Sequence, residues 1–373
     1  MEITYQLTKK QGFFQKNIDN FVKQKINPRV KEIDQSEEFP SEVMEQLAEN
    51  HLLGLLVSKE DGGEGAGYLD VCLALEGMAK TCPTSALMCS VQNLGAHFIA
   101  TAGRPAQKEK YLPDIMGGGA VFGYALPDAL SLNLTQVLIS ASQNGNGFLL
   151  NGPECFVVNA DVSSVIRLIA KKEDSVHVFL VEREAKGLGV AKPEGATGAE
   201  ARCTCKVILN DCSVPADSLV GEGAGGKGIM ADQIKYASCF TAARTLGTSQ
   251  GALDYAIKYS KQREQFGLPV GKFQAVQVLL ADMDASVEAS RHLVYKAASV
   301  LDQKSKEGTR LSSIACYFVS KMASEVTADA VQIGGGYGYT KDYPLEKFMR
   351  NAELNKVMDG TNHAHQLASV KTV

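Results

Sequence analysis

The spacing of apolar residues changes twice along this chain, and the fold has to accommodate both changes. Up to about Pro113 the spacing is helical. Pro40-Ser41-Glu42-Val43 reads as a helix start with Ser41 as its cap, and Val43, Leu47, Leu52 and Leu53 follow at roughly helical intervals. The loop Asp61-Gly62-Gly63-Glu64-Gly65-Ala66-Gly67 breaks the pattern before Leu69 to Met78 and Ser85 to Ala100 resume it. Near Gly117-Gly118-Gly119 the period falls to about two. Val121 to Leu126, Gln136 to Ser142, Gly147 to Asn151, Cys155 to Asn159, Val165 to Ala170, Val176 to Val181 and Arg202 to Leu209 read as short strands, with Asn144-Gly145-Asn146-Gly147 as a hairpin turn. After Pro215 a glycine-rich linker leads into long helical patterns over Ile229 to Gln262, Phe273 to Leu301 and Leu311 to Ile333. Val276, Leu280, Met283, Val287 and Val294 form one apolar stripe. The expected fold is α+β: an N-terminal helical domain (1–118), a middle β-barrel-like domain (119–223) and a C-terminal helix bundle (224–373).

Composition narrows the functional classes. A chain of 373 residues, 45% of them hydrophobic, can bury a large core and spans more than one domain. Its net charge of -4 and scattered Lys and Arg supply no basic stripe, so no nucleic-acid partner is expected. No apolar run reaches the roughly 20 residues that span a bilayer, and Met1-Glu2-Ile3-Thr4 has neither a basic nor an apolar leader, so a cytoplasmic protein is expected. Nine cysteines without a CxxC pair, among them Cys72, Cys89, Cys239 and Cys316 in apolar segments, fit buried free thiols. Cys203 and Cys205 are read as packing residues, because neighbours two apart on a strand are poorly placed to share a disulfide or metal. His363 and His365 would point apart on a helix, and no metal site is expected. Gly221 to Lys227 matches part of a phosphate loop, but Gly228 stands where Ser or Thr is required.

Two stretches carry candidate chemistry. Gln332-Ile333-Gly334-Gly335-Gly336-Tyr337-Gly338-Tyr339 is a possible phosphate cradle, since a ligand can approach glycine backbone closely, and Met358-Asp359-Gly360-Thr361 follows with a single acid. Asp359 reads equally as a catalytic carboxylate or as a turn residue, because Asp-Gly is a favoured turn pair. The second stretch runs from Tyr259 to Gln274, stops one helix with Gly and Pro, and places Arg263, Phe266 and Gln274 around one corner. Arg263 reads either as a phosphate partner or as a favourable cation at a helix end.

These two stretches, with Tyr343-Pro344-Leu345-Glu346-Lys347-Phe348-Met349-Arg350, closely resemble the signature regions of the acyl-CoA dehydrogenase family. Phe39-Pro40, Gly62-Gly63, Tyr111-Leu112-Pro113 and Asn151-Gly152 extend the resemblance over nearly the whole chain. It implies a flavoprotein that removes a proton and a hydride from adjacent carbons of an acyl-CoA thioester, with FAD as hydride acceptor. Arg263, Phe266, Gln274, Gln332, Gly336 and Thr361 match positions that in relatives hold the adenosine diphosphate part of FAD, partly across a subunit boundary. A homodimer or homotetramer is therefore implied, or a hetero-oligomer with a paralogue, with an electron-transfer flavoprotein or similar carrier as acceptor.

The same resemblance places Asp359 where many relatives have a catalytic glutamate. A base is required because the proton α to the thioester carbonyl is weakly acidic. Aspartate reaches about 1.5 Å less far, one C–C bond. The family's alternative base position corresponds to Ala237, and the arginine that usually follows it is Ser238. Pro127-Asp128-Ala129-Leu130-Ser131-Leu132-Asn133-Leu134 replaces a Thr-Glu-Pro-x-x-Gly-Ser-Asp run that in relatives touches flavin and CoA. Phe156 and Val158 stand for an aromatic and a hydroxyl beside the flavin ring, while Tyr124 and Leu126 still offer packing and main-chain bonds. The expected function is thus FAD-dependent α,β-dehydrogenation of an acyl-CoA with Asp359 as base and its N–H polarising the thioester carbonyl. The alternative is a weakly active or inactive partner subunit on the same fold.

Overall fold

The computed structural model describes residues 7–36, 38–125, 137–192, 203–221 and 225–370. Its elements change type where the apolar spacing does. Helices α1 (Lys9–Phe21), α2 (Val30–Gln35), α3 (Ser41–Glu49), α4 (Tyr68–Ala79), α5 (Pro83–Ala102) and α6 (Pro105–Met116) come first. Strands β1 (Phe122–Ala125), β2 (Ser140–Asn144), β3 (Gly147–Val158), β4 (Val165–Lys172), β5 (Ser175–Glu182), β6 (Leu188–Ala191) and β7 (Thr204–Pro215) follow. The chain ends with α7 (Gly226–Gln262), the short hairpin β8 (Glu264–Gln265) and β9 (Leu268–Pro269), and helices α8 (Gln274–Asp302), α9 (Gly308–Gly334), α10 (Leu345–Asn355) and α11 (Asn362–Val370). The α+β order of helices, mixed sheet and helices is as expected. None of the described helices is long and apolar enough to cross a membrane.

Two units emerge from mutual packing. One comprises Ser36–Gly67 and Met88–Ala237. Here β1 pairs with β4, β4 with β2, β2 with β3 and β3 with β1, so the pairing closes on itself in the manner of a barrel. Strands β5, β7 and β6 extend it through β4 and β3. Leu150, Val157, Leu168, Phe179 and Val207 fill the interior. Gln92 of α5 fixes the entry to β1, donating to Ala120 O at 2.9 Å and accepting from Phe122 N at 2.7 Å.

The other unit comprises Met1–Gln35, Tyr68–Leu87 and Ser238–Val373. Helix α9 buries Leu311, Ala315, Cys316, Val319, Ala323, Val326 and Ala330, the face expected of a central bundle helix. Of the predicted α8 stripe, Met283, Val287 and Val294 are buried while Val276 and Leu280 are half-buried. Glu76 of α4 accepts from Arg291 Nε at 3.1 Å and from Tyr295 OH at 2.7 Å on α8, which satisfies its buried charge.

Some boundaries differ from the sequence expectation. Ser41 is the first residue of α3 and makes no capping bond, since Pro40 occupies the cap position. The helix ends at Glu49, and Leu52 and Leu53 are buried from the turn that follows. Gly147 to Asn151 and Cys155 to Asn159 are one strand with register irregularities around Gly152, which explains the apparent gap. Strand β6 was not anticipated: Leu188-Gly189-Val190-Ala191 is too short and too glycine-broken to show a period. The Asn144 to Gly147 hairpin is present, with Asn144 facing Gly147 and Gly145 at φ 56°.

Candidate active site

Helix α10 ends at Asn355, and a turn carries the chain through Met358 into Asp359 and Gly360, both left-handed at φ 55° and 109°. Left-handed φ comes at little cost for Gly and is tolerated by Asp, which accounts for this residue pair. Thr361 Oγ1 then accepts from Ala364 N at 3.2 Å and caps α11. The turn expected of Asp359-Gly360 is thus present. Its carboxylate does not cap the turn, however, but is buried at 5% exposure against α7.

There Thr241 Oγ1 lies 2.5 Å from Asp359 Oδ2, and Arg244 Nη2 lies 3.1 Å from the same hydroxyl. Asp359 Oδ1 is buried and accepts no hydrogen bond from the described residues. On the main-chain side, His365 Nε2 of α11 is 3.0 Å from Asp359 O. Burial holds the His365 imidazole below its ordinary pKa, so at neutral pH the ring is uncharged and donates through Nε2. Burial pushes the nearby Cys316 thiol up, and Asp359 acts in the same direction. Neither Thr241 nor Arg244 was singled out in the sequence. The available signal was their spacing: Thr241, Arg244, Thr245, Thr248 and Ser249 recur at helical intervals along α7, and all are buried. Ala237 and Ser238 on the same helix are buried as well and offer no carboxylate.

The glycine run leaves α9 at Gly334, turns at Gly335 with φ 57° and continues as a 3-10 turn over Gly335–Tyr339. It borders a cavity of about 460 Å³ that also includes Tyr259, Arg263 and Thr340. A Cβ built on Gly335 or Gly336 would meet nothing within 4 Å, so the absence of side chains keeps this space open. The Arg263 guanidinium sits 5.6 Å from the centre of the Tyr337 ring and has no carboxylate partner among the described residues. Bare backbone beside an uncommitted guanidinium suits an anionic diphosphate, so the residues fit that part of FAD.

Other predicted residues are distributed around this cavity or elsewhere. Phe266 and Gly267 form the tip of the β8–β9 hairpin at φ 53° and 79°. The Phe266 ring is 93% exposed, its edge toward Phe273 at 6.3 Å. Gln274 and Gln332 are exposed, at the start of α8 and the last turn of α9. None of Phe266, Gln274, Gln332 and Thr361 lines the cavity.

In the β unit, Val158, Tyr124 and Arg167 face one another across β3, β1 and β4. Tyr124 and Val158 are buried, while Phe156, two residues along the same face, is 45% exposed. Leu126 and the stretch Pro127 to Leu134 lie outside the described residues. Sequence reasoning missed Arg167, which is fully buried 4.5 Å from the Tyr124 ring centre and 5.5 Å from that of Phe98. Its Nη2 donates to Ala125 O at 3.3 Å. A charge in an apolar strand run was its only sequence signal. His363 is exposed and His365 buried, and no metal-binding cluster occurs among the described residues.

Comparison with known proteins gives a consistent result. Residues 8–119 match the family described as acyl-CoA dehydrogenase, N-terminal domain, and residues 224–372 match acyl-CoA dehydrogenase, C-terminal domain. The chain is 34% identical over 376 residues to the cyclohex-1-ene-1-carbonyl-CoA dehydrogenase of Syntrophus aciditrophicus (strain SB), an alignment covering 99% of this chain and 91% of that one. It is 32% identical over 380 residues to the acryloyl-CoA reductase (NADH) of Anaerotignum propionicum, covering 99% and 95%. Among solved structures, butyryl-CoA dehydrogenase from Megasphaera elsdenii superposes with a TM-score of 0.91 at 31% identity, covering 99% of both chains.

Proposed function

The chain belongs to the acyl-CoA dehydrogenase family, and on that premise we propose that it catalyses FAD-dependent α,β-dehydrogenation of an acyl-CoA thioester with Asp359 as the base. Bound FAD would supply the hydride acceptor for the β-carbon, and the Asp359 carboxylate would take the α-proton, the electron pair of that C–H bond forming the new double bond. The observation that carries this reading is the buried Asp359 carboxylate, with one oxygen held by Thr241 and the other free. A buried carboxylate oxygen with no hydrogen-bond donor is available to accept a proton.

The same proposal gives Arg263 and Gly336 the diphosphate of FAD, with Phe266, Gln274, Gln332 and Thr361 completing the adenosine end. Tyr124, Leu126, Phe156 and Val158 serve the flavin ring from the β-barrel-like domain. Asp359 N–H polarises the thioester carbonyl. The three-part organisation, 1–118, 119–223 and 224–373, belongs to this reading too. Exposed aromatic surface beside the cavity, at Phe266, Tyr337 and Tyr339, supports a second copy of the chain covering that face. The acceptor is proposed to be an electron-transfer flavoprotein or a similar carrier.

The test is product formation. Protein loaded with FAD and given a panel of saturated acyl-CoAs plus an artificial electron acceptor should release the enoyl-CoA, identified by a mass two hydrogens lower. Enoyl-CoA formation undiminished in Asp359→Asn would contradict the assignment of the base. Absence of product with every acyl-CoA in the panel, from protein that holds FAD, would favour the inactive partner subunit.

A further inference from the structure

We propose that Thr241 and Arg244 are positioning residues for Asp359, committing its Oδ2 to a fixed hydrogen bond and leaving Oδ1 as the atom that receives the substrate proton. The inference rests on the reading of Asp359 as the base and adds what holds that base in place.

A guanidinium carries donors and no acceptor. Arg244 Nη2, 3.1 Å from Thr241 Oγ1, therefore donates to it. The hydroxyl has one proton, and an ionised carboxylate only accepts, so that proton points to Asp359 Oδ2 at 2.5 Å. The separation is in the range for a hydroxyl donating to a charged carboxylate. Thr241 has no freedom left: its acceptor side faces the cation and its proton faces the anion.

Burial makes this arrangement rigid. Thr241 is 0%, Arg244 1% and Asp359 5% exposed, so bulk water does not compete for these bonds. The helix backbone beneath them is tied by further side chains, with Thr245 Oγ1 donating to Thr241 O at 2.7 Å and Thr248 Oγ1 to Arg244 O at 3.0 Å. On the other side, the Asp359 carbonyl is held by His365 Nε2 at 3.0 Å. The base is thus fixed twice, by α11 through its main chain and by α7 through its side chain. Aspartate has one side-chain torsion fewer than glutamate, so anchoring Oδ2 also fixes Oδ1. A buried acceptor without a donor is costly, and Oδ1 is such an atom. Folds retain that cost where the atom is used.

The experiment compares Thr241→Val, which keeps the shape and removes the hydroxyl, with Thr241→Ser, which keeps the hydroxyl. Both are loaded with FAD and mixed anaerobically with the acyl-CoA that the wild type oxidises. The limiting rate of flavin bleaching should fall by about 10²-fold in Thr241→Val, the cost of a misplaced reacting group, and return to within about threefold of wild type in Thr241→Ser. Apparent substrate affinity and FAD content should stay at wild-type levels. Arg244→Met should follow Thr241→Val, and Arg244→Lys should recover part of the rate. A second readout needs neither flavin nor substrate: in flavin-free protein labelled with ¹³C-aspartate, the infrared band removed by Asp359→Asn should shift in Thr241→Val and stay in place in Thr241→Ser.

Wild-type bleaching in Thr241→Val, or failure of serine to restore it, would overturn the proposal while leaving Asp359 as the base. An unshifted carboxylate band in Thr241→Val would also overturn it. Wild-type bleaching in Asp359→Asn would instead overturn the functional reading from which it starts.

Discussion

A base as short as aspartate needs something else to define its position, and the proposed role of Asp359 depends on such support. Thr241 holds one carboxylate oxygen, and His365 holds the left-handed backbone. Removing the carboxylate while keeping the shape isolates its role. Asp359→Asn should lower the limiting rate of flavin reduction by about 10² to 10⁴-fold, the range for a general base, with FAD content unchanged. Stopped-flow absorbance measures it, and a loss below tenfold would contradict the assignment. A second residue-scale consequence concerns acid stability. His97 is buried with its ring edge-on to Tyr236 at 5.1 Å, and burial lowers its pKa from 6.5 to about 4. The folded protein keeps the ring neutral where the unfolded chain takes up a proton. The contribution of His97 to stability should therefore be constant above about pH 6.5 and decline as pH falls toward 4, by about 3 kcal/mol in all. Urea unfolding at pH 7 and pH 4.5 should show a smaller decline in His97→Gln, and an equal decline would contradict the account.

At the scale of elements, the cradle separates what the fold needs from what the ligand needs. Gly336 has open space at its missing Cβ, whereas a Cβ on Gly338 would stand 2.5 Å from Val331 O. Gly336→Val should fold with stability within about 1 kcal/mol of wild type yet lose bound FAD, because the added side chain enters the cavity. Gly338→Ala should cost about 1–3 kcal/mol of stability through the backbone clash. Thermal unfolding of the apo proteins and FAD content after reconstitution measure the two effects. Gly336→Val that retains FAD would contradict the placement of the diphosphate. The glycine run and Asp359 were legible in the sequence because glycine and acid side chains advertise local chemistry. So were the long helices, whose apolar period persists over several turns. Strand β6 and the continuity of β3 were not, since neither short length nor an irregular register leaves a period. Thr241 and Arg244 were not legible, because only the fold brings Thr241 against Asp359, 118 residues further along the chain. Arg167 gave still less, as one charged residue among Val165, Ile166, Leu168 and Ile169.

Over the whole molecule, the order of helices, closed strand pairing and helices places Asp359 and the glycine run in the helical unit and the Tyr124 face in the β unit. Relatives of comparable identity bear names of both a dehydrogenase and a reductase, so the fold itself does not dictate direction. An active enzyme differs from an inactive relative in one property of the intact protein. Purified protein, reconstituted with FAD and mixed anaerobically with a panel of acyl-CoAs, should show the visible bands of bound flavin and lose them with at least one acyl-CoA, while Asp359→Asn loses them with that acyl-CoA at least tenfold more slowly. Protein that does not take up FAD, or bound flavin that no acyl-CoA bleaches, would contradict the proposed function.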